Sequence, residues 1–350
     1  MATKYRVGLI GCGRMGATID DEVKSRSDSR LFLPYSHAAA IVACERMELV
    51  AVSDPIVEKA ETIRDRYGAQ QAYGDYREMI EKENLDVVSI ATRPGPHAEQ
   101  VIFAAEAGVK AIYCEKSLCN AVHEMDAMLT ACEPRGVKFN YGTQRRYAAL
   151  YRNARILIER GELGEVQAVI AHCGVSAAQW GHTHAADMML FFAGDGEVEF
   201  AQATTDSRND EWEGDRLKRD PAISSAYVKF KNGIHSYLVA STGWEFEIAG
   251  TEGKLMTLSN GTSYSLRKKD EYGDYRLINP PEAIIESGTL RGMEDIVQAL
   301  DSDGDTQGNL QLACRSQEMI FAMVESSRRG GARVDLPLEN RALSIAPDHY

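Results

Sequence analysis

Three glycines within six residues, Gly11-Cys12-Gly13-Arg14-Met15-Gly16, directly follow the apolar run Tyr5 to Ile10. This spacing lets a backbone turn tightly after a strand and approach a pyrophosphate, whose charge is then met by amide N–H groups at a helix N-terminus. The pattern gains weight from a second run, Leu49 to Ser53, which ends in Asp54. A carboxylate there accepts hydrogen bonds from both ribose hydroxyls of NAD and repels the 2′-phosphate of NADP. Together they predict a dinucleotide site that includes Gly11, Cys12, Gly13, Arg14, Met15 and Asp54, with NAD favoured over NADP. A third group, Cys114-Glu115-Lys116-Ser117, closes the run Lys110 to Cys114. Ligands of open α/β sheets bind outside the carboxyl ends of the strands, so a charged pair at that point faces the crevice. A lysine beside a nicotinamide can hydrogen-bond a substrate hydroxyl and help take its proton, or it can simply be half of a surface ion pair. Position alone leaves both readings open.

These groups need elements to carry them. Tyr5 to Ile10, Leu49 to Ser53, Asp86 to Ala91, Lys110 to Cys114 and Val137 to Tyr141 alternate with helical stretches such as His97 to Ala107 and Leu118 to Cys132. That alternation is the pattern of a parallel sheet with crossover helices. Beyond a linking helix at Ala148 to Arg160, Asn232-Gly233 and Asn260-Gly261 each sit between β-rich runs, the signature of tight hairpins. The expected fold is an α/β Rossmann domain over residues 1–147, followed by an α+β domain over residues 148–350 with an open, mostly antiparallel sheet. Leu312, Met319, Ile320, Met323 and Val324 form one stripe of a C-terminal helix expected to pack between the sheets.

The composition narrows the function classes. Fifty-two acidic against 39 basic residues give a net charge of -13, which repels nucleic acid and anionic membrane surfaces. Seven cysteines without a C-x-x-C pair point to a reducing compartment, and the absence of a signal-like start or of a long apolar run places the chain in the cytoplasm. The acid-rich stretch Thr18 to Ser36 is an insertion, because Asp54 follows Gly16 by 38 residues where about 20 is usual. It reads either as a solvated surface excursion or as a flap over the cofactor crevice with a Pro34-Tyr35 tip.

The whole series resembles the Gfo/Idh/MocA oxidoreductases, which include glucose-fructose oxidoreductase and inositol dehydrogenases. The carriers are Gly8 to Gly16, Asp54, Ala91-Thr92 with Pro96-His97, Glu115-Lys116, Gln144-Arg145-Arg146-Tyr147, Gly161 to Glu165, His184-Ala185-Ala186-Asp187 and Gly250 to Gly253. The resemblance implies hydride exchange between nicotinamide and a secondary alcohol of a sugar, sugar derivative or cyclitol, in a homo-oligomer (dimer or tetramer). It assigns Lys116 to substrate and nicotinamide ribose, His184 to acid/base work, and Asp187 to holding His184 or a substrate hydroxyl. Thr92, Arg93, Pro94, His97, Glu115 and Gln144 fall where cofactor contacts are expected, and Arg146 and Tyr147 where substrate is. A His with a pKa of ~6.5 suits proton transfer near neutrality.

Two positions depart from the family. Family members commonly read Glu-Lys-Pro with a cis bond before the proline, and this chain has Ser117. The dehydrogenases often carry an aspartate four residues before the histidine, and this chain has Trp180. His182 is one substitute for that carboxylate, while Trp180 can stack on a sugar face or pack at an interface. His182, His184 and Asp187 also make a set that zinc or iron accepts. Nothing nearby completes that set, so no metal is expected. Three functions follow: an NAD-dependent dehydrogenase, an NAD-dependent enzyme that cleaves glycosides through a transient oxidation, and a non-catalytic NAD-binding regulator.

Overall fold

The computed structural model describes residues 3–279 and 286–346. The chain divides into two units: residues 1–119, 124–147 and 286–313 form the first, and residues 120–123, 148–285 and 314–350 the second. Residues 286–313, which the sequence pattern leaves with the second domain, thus belong to the first.

In the first unit β1 (Tyr5–Ile10), β2 (Met47–Ser53), β3 (Gln71–Tyr73), β4 (Val87–Ile90), β5 (Ala111–Cys114) and β6 (Lys138–Tyr141) form one sheet in the order β3-β2-β1-β4-β5-β6. Every pairing is parallel. Strands in such a sheet are covered on both faces, which is why β4 and β5 are buried at every position and read as unbroken apolar runs. β3 has only three residues, too short to leave a periodic signal. Val7, Leu9, Val52 and Val87 meet Ala38, Ile41, Ala60 and Ile63 of the flanking helices in one core. Met293, Ile296 and Val297 of the helix Gly288–Ser302 join that core. At roughly 1.5–3 kcal/mol for each large apolar side chain buried, these three explain why a segment distant in sequence closes the first unit.

The second unit contains β7 (Val166–His172), β8 (Ser176–Ala177), β9 (Val198–Thr205), β10 (Trp212–Glu213), β11 (Arg216–Leu217), β12 (Ala222–Phe230), β13 (His235–Val239), β14 (Glu245–Gly250), β15 (Gly253–Leu258), β16 (Ser263–Lys269), β17 (Tyr275–Ile278), β18 (Val334–Asp335) and β19 (Ser344–Ile345). Ten of them make a sheet in the order β17-β16-β15-β14-β7-β13-β12-β9-β18, with β8 on β12. Its pairings are antiparallel apart from β7 with β13. Both expected hairpins are present, β12 with β13 around Asn232-Gly233 and β15 with β16 around Asn260-Gly261. Strict alternation of buried and part-exposed residues along β14 and β15 marks a sheet packed on one face. From Cys314 onward the helix Leu310–Arg328 lies in this unit, where Ser326 and Ser327 accept from the amides of Ala203 and Thr205 on β9. No helix among the described residues is long and apolar enough to cross a membrane.

Candidate active site

The glycine turn is dictated by close packing. Gly11 has φ +93°, and a Cβ there would stand 2.9 Å from the backbone of Ala91. A Cβ on Gly16 would stand 1.9 Å from the carbonyl oxygen of Gly11. Above Gly13 the space is open, the nearest atom to an added Cβ being Lys59 Nζ at 3.8 Å. The turn thus brings bare backbone to the carboxyl ends of β1 and β4 and leaves room above it, the cradle that a pyrophosphate requires.

Asp54 lies beside the turn, 7% exposed. Its Oδ2 accepts from the Cys12 amide at 3.0 Å, its Oδ1 from the Ile56 amide at 3.0 Å, and Lys59 Nζ is 3.8 Å away. Each oxygen keeps lone-pair capacity for a ribose hydroxyl. Burial, aided by the Asp54 charge, pushes the Cys12 thiol up to about 12, so its side chain is a neutral packing group. Arg14 is exposed and bonded through Nε to both oxygens of Glu22 at 2.8 and 2.9 Å. Met15 is half-buried in the turn.

Four expected residues border β4 and β5. Arg93 is exposed and Pro94 half-buried, while the Thr92 hydroxyl donates to Gln100 Oε1 at 2.8 Å. His97 is fully buried, with Nδ1 2.8 Å from the Ser117 carbonyl and Nε2 3.1 Å from that of Thr92. Burial lowers its pKa, so the ring is neutral and its one N–H is assigned to the shorter contact. Both ring nitrogens are turned to backbone carbonyls, and His97 packs beside the Thr92 loop while its N–H bonds the Lys116-Ser117 turn. The Lys116–Ser117 peptide bond is cis. Lys116 is half-buried; beneath it Glu115 is 6% exposed. Glu115 Oε2 accepts from the Lys116 amide at 3.1 Å, and Oε1 lies 3.1 Å from Nε2 of His37, whose Nδ1 is 2.8 Å from the Ser89 hydroxyl. Glu115 therefore orients the lysine turn from below.

Beyond β6, Gln144 donates to the Tyr35 hydroxyl at 2.8 Å. Arg146 and Tyr147, expected at substrate, are each 1% exposed. Arg146 donates to the Gln307 carbonyl, and the Tyr147 hydroxyl lies 2.7 Å from Asn140 Oδ1 and 2.9 Å from Asp295 Oδ2. Tyr147 belongs to a buried polar network under β6, a correction that follows from the return of residues 286–313 to this unit.

In the second unit the other expected residues cluster at the start of the helix His182–Phe192. The Gln179 and Trp180 amides donate to the carboxylate of Asp220, which is 5% exposed, and this fixes the approach to the helix. Trp180 is 48% exposed and Asp187 only 2%, one turn beyond the half-buried His184. His182 is fully buried, and its Nε2–H donates to the Ile223 carbonyl at 3.2 Å. Burial pushes its pKa down to about 4, and its Nδ1 lone pair has no hydrogen-bond partner among the described residues. A neutral, fully enclosed His182 cannot replace a carboxylate. Trp244, with φ +51°, faces both rings at 6.3 Å from His182 and 6.5 Å from His184.

Asp220, Trp244 and His37 were not singled out in sequence. Each acts across 35 or more residues, and only the left-handed backbone beside Gly243 hints at Trp244. In the first unit the glycine cradle, with Asp54 beside it and the braced lysine turn, has the form of a Rossmann-type dinucleotide site; the histidine-aspartate helix stands in the second unit.

Comparison with known proteins agrees. Residues 5–143 match the oxidoreductase family with an NAD-binding Rossmann fold, and residues 155–336 match its C-terminal alpha/beta domain. The chain belongs to the Gfo/Idh/MocA family of oxidoreductases. Among its relatives are myo-inositol 2-dehydrogenase of Thermotoga maritima, 27% identical over 46% of this chain and 42% of that protein, and levoglucosan dehydrogenase of Pseudarthrobacter phenanthrenivorans, 35% identical over 46% and 38%. The chain thus spans less than half the length of these curated relatives. In fold it resembles a levoglucosan dehydrogenase solved with NADH (TM-score 0.76, 22% identity, 96% of this chain and 100% of that one). It also resembles the aldose-aldose oxidoreductase of Caulobacter crescentus (0.75, 18%, 95% and 100%).

Proposed function

We propose that the protein is an NAD-dependent dehydrogenase acting on a secondary alcohol of a sugar, sugar derivative or cyclitol. The observation that carries this reading is the lysine turn: Lys116 stands at the carboxyl end of β5, its amide held by Glu115, in the unit that carries the glycine cradle and Asp54. When bound, NAD supplies the hydride acceptor for the carbinol carbon. Asp54 takes the ribose hydroxyls and the turn amides take the pyrophosphate, with Gln144 at the nicotinamide end. Lys116 hydrogen-bonds the reacting hydroxyl, and His184 receives its proton as the C–O bond becomes a carbonyl. Asp187 orients His184 or a neighbouring hydroxyl. A polyhydroxylated ring suits these donors and acceptors, in keeping with the inositol and levoglucosan relatives.

The test is to incubate the protein with NAD and a panel of inositols, sugars and glycosides, following NADH and product together. Net NADH with a ketone product is expected. Cleaved glycoside without NADH would replace this reading by the transient-oxidation one, and no reaction with any of them by the regulator. Lys116→Met and His184→Ala should each abolish turnover while NADH affinity falls little. A Lys116→Met variant that keeps most of its rate refutes the assigned mechanism.

A further inference from the structure

The insertion between Gly16 and His37 is tied down along its length. Asp20 accepts from the amides of Tyr35 and Ser36 at 3.0 and 2.8 Å. Asp21 pairs with Arg66, and Tyr67 donates to the Ala17 carbonyl at 2.6 Å. Phe32 stacks on Tyr35 with centroids 5.4 Å apart, and the Pro34 carbonyl accepts from Ser287. This is a built segment, whose exit delivers two side chains to two different loops. Tyr35 meets Gln144 after β6, and His37 meets Glu115 after β5. The Tyr35 hydroxyl accepts from Gln144 Nε2, while Gln144 Oε1 is 3.5 Å from the Thr289 hydroxyl, so both ends of that amide are constrained. Burial raises the Tyr35 pKa, which keeps the phenol protonated.

We infer that the insertion is a brace for the nicotinamide end of the dinucleotide site, and that Tyr35 is a positioning residue that acts through Gln144. A glutamine amide that rotates freely must be ordered when ligand binds, and ordering a long polar side chain weakens affinity. With its Nε2 committed to Tyr35, the Gln144 amide is preset in one of its two orientations. The insertion thus trades an open crevice edge for a preorganised one. This inference rests on the assignment of Gln144 to the cofactor.

The test is NADH affinity, measured by fluorescence titration of wild type, Tyr35→Phe, Gln144→Ala and the double variant, with thermal melts in parallel. Tyr35→Phe keeps the ring and removes one hydroxyl, so it should melt within about 6 °C of wild type and bind NADH roughly 2- to 13-fold more weakly, the fold-change of one ordinary hydrogen bond. If Tyr35 acts through Gln144, the double variant loses no more than Gln144→Ala alone. Additive losses, or a Tyr35→Phe variant that binds NADH as wild type does while Gln144→Ala is weakened, overturn the brace and leave the Gln144 assignment standing. A Gln144→Ala variant with wild-type affinity overturns both.

Discussion

Asp54 holds two amides and, in the proposed site, the ribose of NAD, and Asp54→Ala separates the two roles. The carboxylate accepts the Cys12 amide, which is buried, and the Ile56 amide, which is partly reached by water, each at 3.0 Å. A buried donor left unmet costs about 1–3 kcal/mol and a wetter one less, so the free protein should lose roughly 2–4 kcal/mol. For a unit of this size 1 kcal/mol moves Tm by about 2–4 °C, which predicts a fall of roughly 4–16 °C. The cofactor reports the second load. Two hydrogen bonds to a charged acceptor, at about 1.5–3 kcal/mol each, put the loss of NADH affinity at 100-fold or more. NADPH should move the other way relative to NADH, since the variant removes the anion that opposes a 2′-phosphate. Lys59, 3.8 Å from the lost carboxylate, remains to meet that phosphate. The assay is differential scanning of the free protein plus titration with NADH and NADPH. A variant whose NADH affinity stays within about threefold of wild type refutes the ribose role, and an unchanged NADH to NADPH ratio refutes the electrostatic one.

Other expectations follow from the same contacts. Gly16→Ala places a methyl 1.9 Å from the Gly11 carbonyl oxygen, so the turn must open, and NADH binding should be lost in a protein of lowered Tm. Tyr147→Phe leaves Asn140 and Asp295 short of a donor and should lower stability by about 1–3 kcal/mol in urea melts; a change confined to KM for the alcohol would restore Tyr147 to the substrate site. His182, with a pKa of about 4 folded against ~6.5 unfolded, makes the unfolded chain the better proton binder between those values. Its stability contribution is whole above pH 6.5 and is lost as pH falls toward 4, by about 3 kcal/mol in all. The buried His97 adds loss of the same sign. His182→Asn should flatten the fall of ΔG across that window, and an unaltered slope would show that His182 does not titrate this way.

Local patterns carried most of the fold. The glycine turn, the end of β2 at Asp54 and the two Asn-Gly hairpins each lie within one short stretch, where backbone sterics alone decide the conformation. What the pattern could not carry was partnership across the chain. The helix Gly288–Ser302 reads as an ordinary amphipathic segment, and nothing local says that Met293 and Ile296 fill the first core. The same return of chain buries Tyr147 against Asp295, although its Gln-Arg-Arg-Tyr context suggested a ligand. His37 reads as the first residue of a short apolar helix, yet it touches a carboxylate 78 residues away. Asp220 stands in no motif at all, and it fixes the segment leading to His184 by accepting two amides.

Net charge is the clearest case of a total that misleads. At -13 the chain opposes an anionic dinucleotide at long range, and four of its acidic residues, Asp20, Asp21, Glu22 and Asp28, lie in the insertion. Its carboxylates are already engaged, however: Asp20 by two amides, Asp21 by Arg66 and Lys24, Glu22 by Arg14, and Asp28 by Arg26. These pairs are largely exposed and contribute little to stability, but they cancel the local field within a Debye length of about 8–10 Å. Arg14 is paired with Glu22 at the exposed surface. For a pyrophosphate the proposed site offers the row of turn amides, with Lys59 beside Asp54. In that reading both act at short range, where placed dipoles and one ammonium outweigh a distant surplus of screened charge. Raising ionic strength should therefore alter NADH affinity only weakly, whereas Lys59→Glu, which reverses a charge 3.8 Å from Asp54, should lower it by tenfold or more. Steep salt dependence in the wild type would show that the long-range field, and not the turn, governs binding.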